Sequence, residues 1–124
     1  MPIKVLHSGN SADVMIVVGK NASVPAQAFI ESLTVQEQKG ILQVLIRFAE
    51  FGVIHDEQRF RHEGDGVYVF KYKQVRLCCF FKPNSRPKTV IITHGFKKKS
   101  MKMDPSEKNR TLRTRESLEQ EKSI

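Results

Sequence analysis

The stretch VYVFKYKQVRLCCFFKPNSRPKTVIITH, residues 67–94, decides the fold of this 124-residue chain. It contains three runs rich in β-branched and aromatic residues, divided by the short polar segments YKQ and PNSRP. Runs of this composition are typical of strands, and turns this short join neighbouring strands that run antiparallel. We therefore predict a three-stranded antiparallel meander, with one face buried and the other facing water or a ligand.

The residues before the meander predict a strand and then two helices. VMIVVGK at 14–20 is typical of a strand, which the earlier IKVL either extends or pairs with. Ser23 is the expected N-cap of the first helix. Thr34 and Glu37 have the spacing of a capping box at the start of the second helix, and Gly52 is expected to end it. The two helices form a hairpin whose apolar stripe faces the sheet.

The residues after the meander predict one more helix. DPSE at 104–107 provides Asp104 as N-cap, with Glu107 completing a second capping box. The large apolar residues that follow are only Leu112, Leu118 and Ile124, so we expect this helix to dock loosely.

The predicted fold class is α+β, with a helical hairpin packed on a small twisted antiparallel sheet and a loosely docked C-terminal helix. The expected organisation is an N-terminal extension at 1–13, one domain at 14–103 and a helical tail at 104–124. A chain of this length has room for one modest core.

Positive charge is concentrated in one part of the chain. The net charge is +8, and residues 67–103 carry 10 Lys and Arg with no acid. Residues 1–66 carry 6 against 8 acids, and residues 104–124 carry 5 of each sign. An acid-free segment that forms a sheet favours a polyanionic partner, nucleic acid before an anionic membrane surface. A basic surface with no role is the alternative.

Several classes of protein are disfavoured by the sequence. Cys78 and Cys79 are the only cysteines, and neighbours in a strand point to opposite faces, so no disulfide is expected. This favours a reducing, cytoplasmic location. No apolar run reaches the roughly 18 residues of a membrane helix, and the N-terminus does not have the pattern of a signal peptide. The chain has no CxxC or HExxH motif, so we expect neither a metal nor a cofactor.

The order of motifs in the meander resembles a known toxin superfamily. Gly66 precedes a strand that ends at Lys71, Arg76 opens an aromatic strand, and His-Gly-Phe at 94–96 is followed by three lysines and a Pro-Glu helix start. This order is similar to that of the RelE/ParE toxins, above all their phage-derived HigB-like branch. The resemblance covers about residues 14–115.

The resemblance implies a RelE-like fold and a bacterial type II toxin. Such a toxin is a metal-independent endoribonuclease that cleaves mRNA, usually in the ribosomal A site, and is held inactive by a cognate antitoxin, here expected to be of the helix-turn-helix type. Two other functions stay open. One is a ParE-like toxin that poisons gyrase without cutting RNA, and the other is a degenerate phage-derived relative that binds only RNA or its antitoxin.

The resemblance also assigns roles to individual residues. Arg76 is expected to hold the scissile phosphate, with Lys71 beside it across a tight turn. Lys98 and Lys99 match the basic pair after the His-Gly-Phe element and bring a third cation to the phosphate. His62, in the predicted loop at 55–66 that leads into the basic strand, is the first candidate for proton transfer, ahead of the other two histidines considered, His55 and His94. The predicted catalytic set is therefore Arg76, Lys71, Lys98, Lys99 and His62.

The remaining lysines of the acid-free segment are predicted to bind RNA; they are Lys73, Lys82, Lys97 and Lys102. The chain also departs from the ribosome-dependent RelE type. It has Val67 and Val69 where those members carry lysines, and its C-terminal tail has no tyrosine to serve as acid or base. A lysine crowded by like charges has a lowered pKa and can itself act as a base.

Overall fold

A computed structural model describes residues 2–99 and 103–124. The described residues form one six-stranded sheet in the order β1-β2-β6-β5-β4-β3, with three helices. The α+β fold class is confirmed. In chain order the elements are β1 Ile3–Ser8, β2 Ala12–Val17, α1 Pro25–Glu31, α2 Val35–Phe51, β3 Phe60–Gly64, β4 Val67–Tyr72, β5 Val75–Phe81, β6 Lys88–Lys97 and α3 Pro105–Gln120.

The predicted meander is confirmed, since β4, β5 and β6 pair antiparallel in sequence order. The prediction of an antiparallel sheet is wrong at one position, because β2 and β6 run parallel, with Ala12 opposite Lys88. A parallel pair needs a long crossover. Here the crossover contains both helices of the hairpin and three strands, so the parallel pairing has no local sign in the sequence.

Of the two edge strands, β3 was not predicted, whereas the pairing of IKVL with the strand at 14–20, one of the two alternatives, is confirmed. β3 falls in the segment 55–66, which was expected to be a loop, and pairs with β4 through Phe60 and Phe70. Its sequence, FRHEG, has no β-branched residue, and it forms the edge of the sheet. The other edge is β1, in the predicted N-terminal extension, where Ile3 lies opposite Val17 of β2.

The capping box of α2 is confirmed. The Thr34 hydroxyl accepts the Glu37 backbone N–H at 3.1 Å, and the Glu37 carboxylate accepts the Thr34 N–H at 3.0 Å. Gly52 ends the helix in the left-handed conformation that glycine favours, with φ +76°. The predicted N-cap of α1 is wrong. Val24 occupies that position without a side-chain hydrogen bond, and the Ser23 carbonyl instead accepts the Gly19 N–H at the preceding turn.

The main core lies between the sheet and the α1–α2 hairpin. Phe48 of α2 is fully buried, and its ring lies 5.4 Å from that of Phe70 and 6.0 Å from that of Phe81, measured between centroids. The apolar residues of α1 and α2 form one cluster with alternate residues of β2, β4, β5 and β6, so the hairpin closes one face of the sheet. The buried residues of this main core include Val14, Ile16, Ile41, Leu45, Phe48, Phe70, Val75, Leu77 and Ile92.

The opposite sheet face carries α3, and the prediction that this helix docks loosely is wrong. Leu118 is fully buried in a second apolar cluster with Val17, Phe80 and Ile91. The polar Thr111 is also fully buried. One well-placed leucine and a set of polar contacts therefore replace the apolar stripe that the sequence lacks.

Polar contacts join α3 to the turn between β3 and β4. Lys108 donates to the Asp65 carboxylate at 2.8 Å, and Arg115 donates to the Asp65 backbone carbonyl at 3.0 Å. At the start of α3 the Asp104 carboxylate accepts the Ser106 N–H at 2.9 Å. The predicted capping box is wrong here because the Glu107 side chain turns away from the cap and toward the sheet.

Two further observations concern the cysteines and the possibility of a membrane-spanning helix. Cys78 and Cys79 are buried free thiols, and burial raises the pKa of Cys78 to about 12, so this thiol is neutral. Within residues 2–99 and 103–124, none of the helices combines the length and apolar character needed to span a bilayer.

Candidate functional site

The β4–β5 hairpin brings two predicted site residues together. Lys71 and Arg76 are directly opposite each other in the antiparallel pair. Their neighbours Phe70 and Leu77 belong to the main core, so by alternation Lys71 and Arg76 lie on the face that carries α3. Lys98, just after β6, is held at the same turn because its N–H donates to the Gln74 carbonyl at 2.8 Å.

A fourth cation comes from β3, the strand that was expected to be a loop. Arg61 pairs with Val69 of β4 and lies close enough to Lys71 to interact with it electrostatically. We call this group the cationic cluster; its members are Arg61, Lys71, Arg76 and Lys98.

Arg76 is anchored by one of its three guanidinium nitrogens. Its Nη1 donates to the backbone carbonyls of Lys73 and Val75, at 2.5 and 2.9 Å. Nε and Nη2 donate to no acceptor within 2–99 and 103–124, so three N–H groups stay available. Burial lowers the pKa of this arginine, and the nearby Glu63 opposes the shift. The guanidinium is therefore positioned and partly desolvated, but not saturated with hydrogen bonds.

Lys71 is crowded by positive charge. Burial lowers its pKa first, and repulsion from Arg76, Lys98 and Arg61 lowers it further, while Glu63 raises it. Its ammonium donates to the backbone carbonyl of Glu57 at 3.0 Å. An anion that binds here relieves the repulsion among the cations, so the cluster is suited to a phosphate group.

Glu63 is a site residue that the sequence reasoning missed. Its carboxylate lies 3.8 Å from Nε of Arg61 and acts electrostatically on both Lys71 and Arg76. Alternation along β3 was the signal that could have found it, because Arg61 and Glu63 share one face once FRHEG is read as a strand. Glu63 also lines a cleft of about 360 Å³, together with Arg61, Lys98, Met103, Asp104, Pro105 and Lys108.

His62 lies on the other side of β3. Its ring stacks on Tyr68, with centroids 4.5 Å apart and an angle of 24° between the planes. Its Nε2 accepts the Gly66 N–H at 3.3 Å. Tyr68 packs against the main core. The structure therefore does not bring His62 into the cationic cluster.

The lysines after the His-Gly-Phe element have different surroundings. Lys97 turns to the α2 side and forms an ion pair with Glu37 at 3.1 Å, which leaves Lys98 as the one that joins the cluster. Lys99 is exposed, two residues beyond the end of β6. Lys102 lies outside the described residues.

Two more predicted RNA-binding lysines lie away from the cluster. Lys73 is exposed at the β4–β5 turn, with its ammonium 5.5 Å from the centroid of the Tyr72 ring. Lys82 follows the opposite end of β5 from Arg76, about 20 Å away along the strand at about 3.3 Å per residue.

Comparison with known proteins identifies the family. Residues 28–116 match the family described as Phage derived protein Gp49-like (DUF891). The chain belongs to this family. No curated protein sequence matches it. The Gp49-like family is associated with toxin–antitoxin systems, and membership implies an antitoxin partner. The matched range includes the whole cationic cluster and Glu63.

A buried polar network joins α3 to the sheet of this Gp49-like chain. His94 of β6 is buried, with Nε2 3.0 Å from the Glu107 carboxylate and Nδ1 3.0 Å from the Thr93 hydroxyl. A carboxylate only accepts, so Nε2 carries the hydrogen and the neutral ring satisfies both partners. Burial, followed by repulsion from Arg110, lowers the pKa of His94, while Glu107 opposes the shift.

The stability of this Gp49-like protein is expected to fall as the pH drops from 7.5 to 5.5. Because the pKa of His94 is lowered in the folded state, the unfolded chain binds a proton that the folded chain resists. The loss begins as the pH falls through the ordinary histidine pKa of about 6.5. Urea unfolding across this range measures it, with His94→Gln expected to flatten the pH dependence and the exposed His55→Gln to leave it unchanged. Equal slopes in wild type and His94→Gln would contradict this prediction.

A metal centre has no support in the described part of this Gp49-like chain. Within 2–99 and 103–124, no three His, Cys, Asp or Glu side chains are grouped so that they could hold a metal ion.

Proposed function

We propose that this chain is the toxin of a type II toxin–antitoxin system, of the HigB-like branch of the RelE/ParE superfamily, and that it cleaves mRNA at the cationic cluster. The observation that carries the proposal is the cross-strand pair of Lys71 and Arg76 with the Glu63 carboxylate beside it. Family association with toxin–antitoxin systems supports the biological setting.

In this proposal the side chains of the cationic cluster bind the phosphate. Arg76 offers the N–H groups of Nε and Nη2 as a planar fork that matches two phosphate oxygens. Lys71 and Lys98 add charge on the same sheet face. Fixed cations stabilise the extra negative charge of a pentavalent phosphorus without reorganising during the reaction. Cleavage in this scheme needs no metal ion.

Proton transfer in this proposal uses Glu63 and Lys71. Glu63 accepts the proton of the 2′-hydroxyl, and the 2′-oxygen attacks phosphorus. The bond from phosphorus to the 5′-oxygen breaks, and Lys71, whose pKa is lowered, donates a proton to that oxygen. The products are a 2′,3′-cyclic phosphate and a 5′-hydroxyl. Glu63 takes the base role from His62 because the His62 ring stacks on the other sheet face.

The proposed substrate is mRNA held in the ribosomal A site, and the proposed location is the cytoplasm. The cleft of about 360 Å³ beside the cationic cluster is proposed to hold the RNA strand next to the scissile phosphate. The exposed Lys99, just past β6, is proposed to extend the RNA contact beyond the scissile phosphate.

Inducible expression with mapping of transcript ends tests this function. New mRNA ends that carry a 5′-hydroxyl, together with growth arrest, are expected for the wild type. Glu63→Gln keeps the shape of the side chain but cannot accept the proton, so we expect cleavage to fall about 10²- to 10⁴-fold while RNA binding is retained. The exposed Glu57→Gln, whose side chain is outside the proposed mechanism, is the matched control.

Three outcomes would overturn the proposal. Arrest with intact transcripts and trapped DNA breaks would indicate gyrase poisoning. A folded product that binds RNA or antitoxin and leaves growth unaffected would indicate a degenerate relative. Full cleavage by Glu63→Gln would remove the proposed base.

A further inference from the structure

A second cleft lies on the other face of β4, between that strand and α2. Its volume is about 230 Å³, and it is lined by Gly40, Gln43, Val44, Arg47, Ile54, Arg59 and Tyr72. Gly40 forms one wall, since the Tyr72 ring lies against it so closely that a Cβ atom has no room. Lys71 directly precedes Tyr72 in β4 and therefore points to the opposite face of the sheet. This cleft is thus separate from the cationic cluster.

The charge in this cleft is positive and unbalanced. No acid lines it, and neither Arg47 nor Arg59 forms an ion pair with any carboxylate of residues 2–99 and 103–124. The Arg59 guanidinium lies 5.9 Å from the centroid of the Tyr72 ring, and the Lys73 ammonium lies 5.5 Å from the same centroid. An anionic side chain entering the cleft would meet the guanidinium groups of Arg47 and Arg59, and Tyr72 forms an aromatic wall beneath the second of them.

Two exposed apolar side chains, Phe51 and Val53, belong to residues close in the chain to those that line this cleft. Phe51 follows Arg47 by four residues, which places both on one face of α2. Phe51 is 68% exposed and Val53 is 44% exposed. Val53 directly precedes Ile54, which lines the cleft. Exposed apolar groups next to arginines are typical of protein-binding surfaces, where aromatic and arginine side chains carry much of the binding energy.

We infer that this surface, which we call the arginine pocket, binds a protein segment that carries an acidic side chain beside apolar ones. The acidic group would enter between Arg47 and Arg59, and the apolar groups would cover Phe51 and Val53. The occupant to which we assign this segment is the antitoxin that family membership implies.

Charge and shape favour a protein segment over RNA. A phosphate would satisfy Arg47 and Arg59 equally well, but an RNA backbone would leave Phe51 and Val53 exposed to water. The pocket and the cationic cluster also open on opposite faces of β4. The inference does not use the proposed nuclease chemistry, so each can fail without the other.

Peptide selection tests the chemistry of the pocket. A random peptide library displayed on phage is selected on the full chain, and the affinity of the selected peptides is measured by fluorescence anisotropy. We expect the peptides to carry Asp or Glu beside an apolar residue. Binding should weaken at least tenfold for Arg47→Gln, for Arg59→Gln and for Phe51→Ser, and should be unchanged for the exposed Arg113→Gln, which removes the same charge from α3. Cleavage by Arg47→Gln and Arg59→Gln should match the wild type.

The assignment to the antitoxin has its own measurement. The protein encoded beside this chain's gene is titrated into wild type and variants by calorimetry. Binding that weakens at least tenfold in Arg47→Gln and Arg59→Gln, but not in Arg113→Gln, supports the assignment. Absence of binding, or equal affinity for all variants, overturns it.

Other results would overturn the pocket itself. These are a selection that yields no binding peptide, selected peptides without acidic residues, or equal loss in Arg113→Gln, which would indicate a general charge effect. The peptides could also compete with an oligoribonucleotide whose binding is weakened by Arg47→Gln. This result would show that the pocket binds RNA and not a protein segment.

Discussion

Arg76→Ala is expected to lower RNA cleavage by about 10²- to 10³-fold while the fold is retained. The side chain is only half-buried and touches backbone carbonyls of its own turn, so the core stays intact without it. What is lost is the guanidinium that would hold the phosphate as negative charge develops. Cleavage of an RNA bound to ribosomes, measured with purified variants, gives the size of the loss, and circular dichroism reports the fold.

Two further variants separate the geometry of Arg76 from its charge. Arg76→Lys keeps one positive charge but loses the planar fork, so we expect it to recover only part of the activity. Arg86→Ala removes an exposed arginine from the same acid-free segment and is expected to cleave like the wild type. Arg76→Ala activity within threefold of wild type would show that the phosphate binds elsewhere. Equal losses of activity in Arg76→Ala and Arg86→Ala would show that Arg76 contributes only to the overall positive charge.

The pairing of Lys71 and Arg76 could be predicted because only a tight turn lies between them. In a hairpin the turn fixes the register, so two residues near its ends lie opposite each other whatever the rest of the chain does. The capping box at Thr34 and Glu37 is local in the same way. Both features depend on residues a few positions apart, so they can be predicted from the local sequence alone.

The members of the site that the sequence did not predict depend on distant pairing. Glu63 reaches the cationic cluster only because FRHEG, a run without β-branched residues, pairs with β4. Lys97 and Lys98 are adjacent lysines whose faces are set by the register of β6 against β5. A shift of one residue would exchange their roles. Composition cannot supply such a register, and the same holds for the parallel pairing of β2 with β6.

Leu118→Ala is expected to lower the free energy of unfolding by about 2–5 kcal/mol, the largest loss of stability that we predict. Leu118 is fully buried among Val17, Phe80 and Ile91, and it is the one apolar anchor of α3 in that cluster. Its removal leaves a cavity on the sheet face that the polar contacts of Asp65 cannot fill. Urea unfolding of wild type and variant measures the difference.

Leu112→Ala is the matched control, because it removes the same atoms from a leucine of α3 that is only half-buried. We expect a clearly smaller loss from it. Hydrogen exchange of the α3 amides then shows whether Leu118→Ala releases the helix alone or the whole domain. Release of α3 would also move Asp104 and Lys108 away from the cleft beside Glu63, so cleavage should fall together with docking. Equal effects of Leu118→Ala and Leu112→Ala would mean that the polar contacts with Asp65 and His94, not the leucine, hold α3 on the sheet.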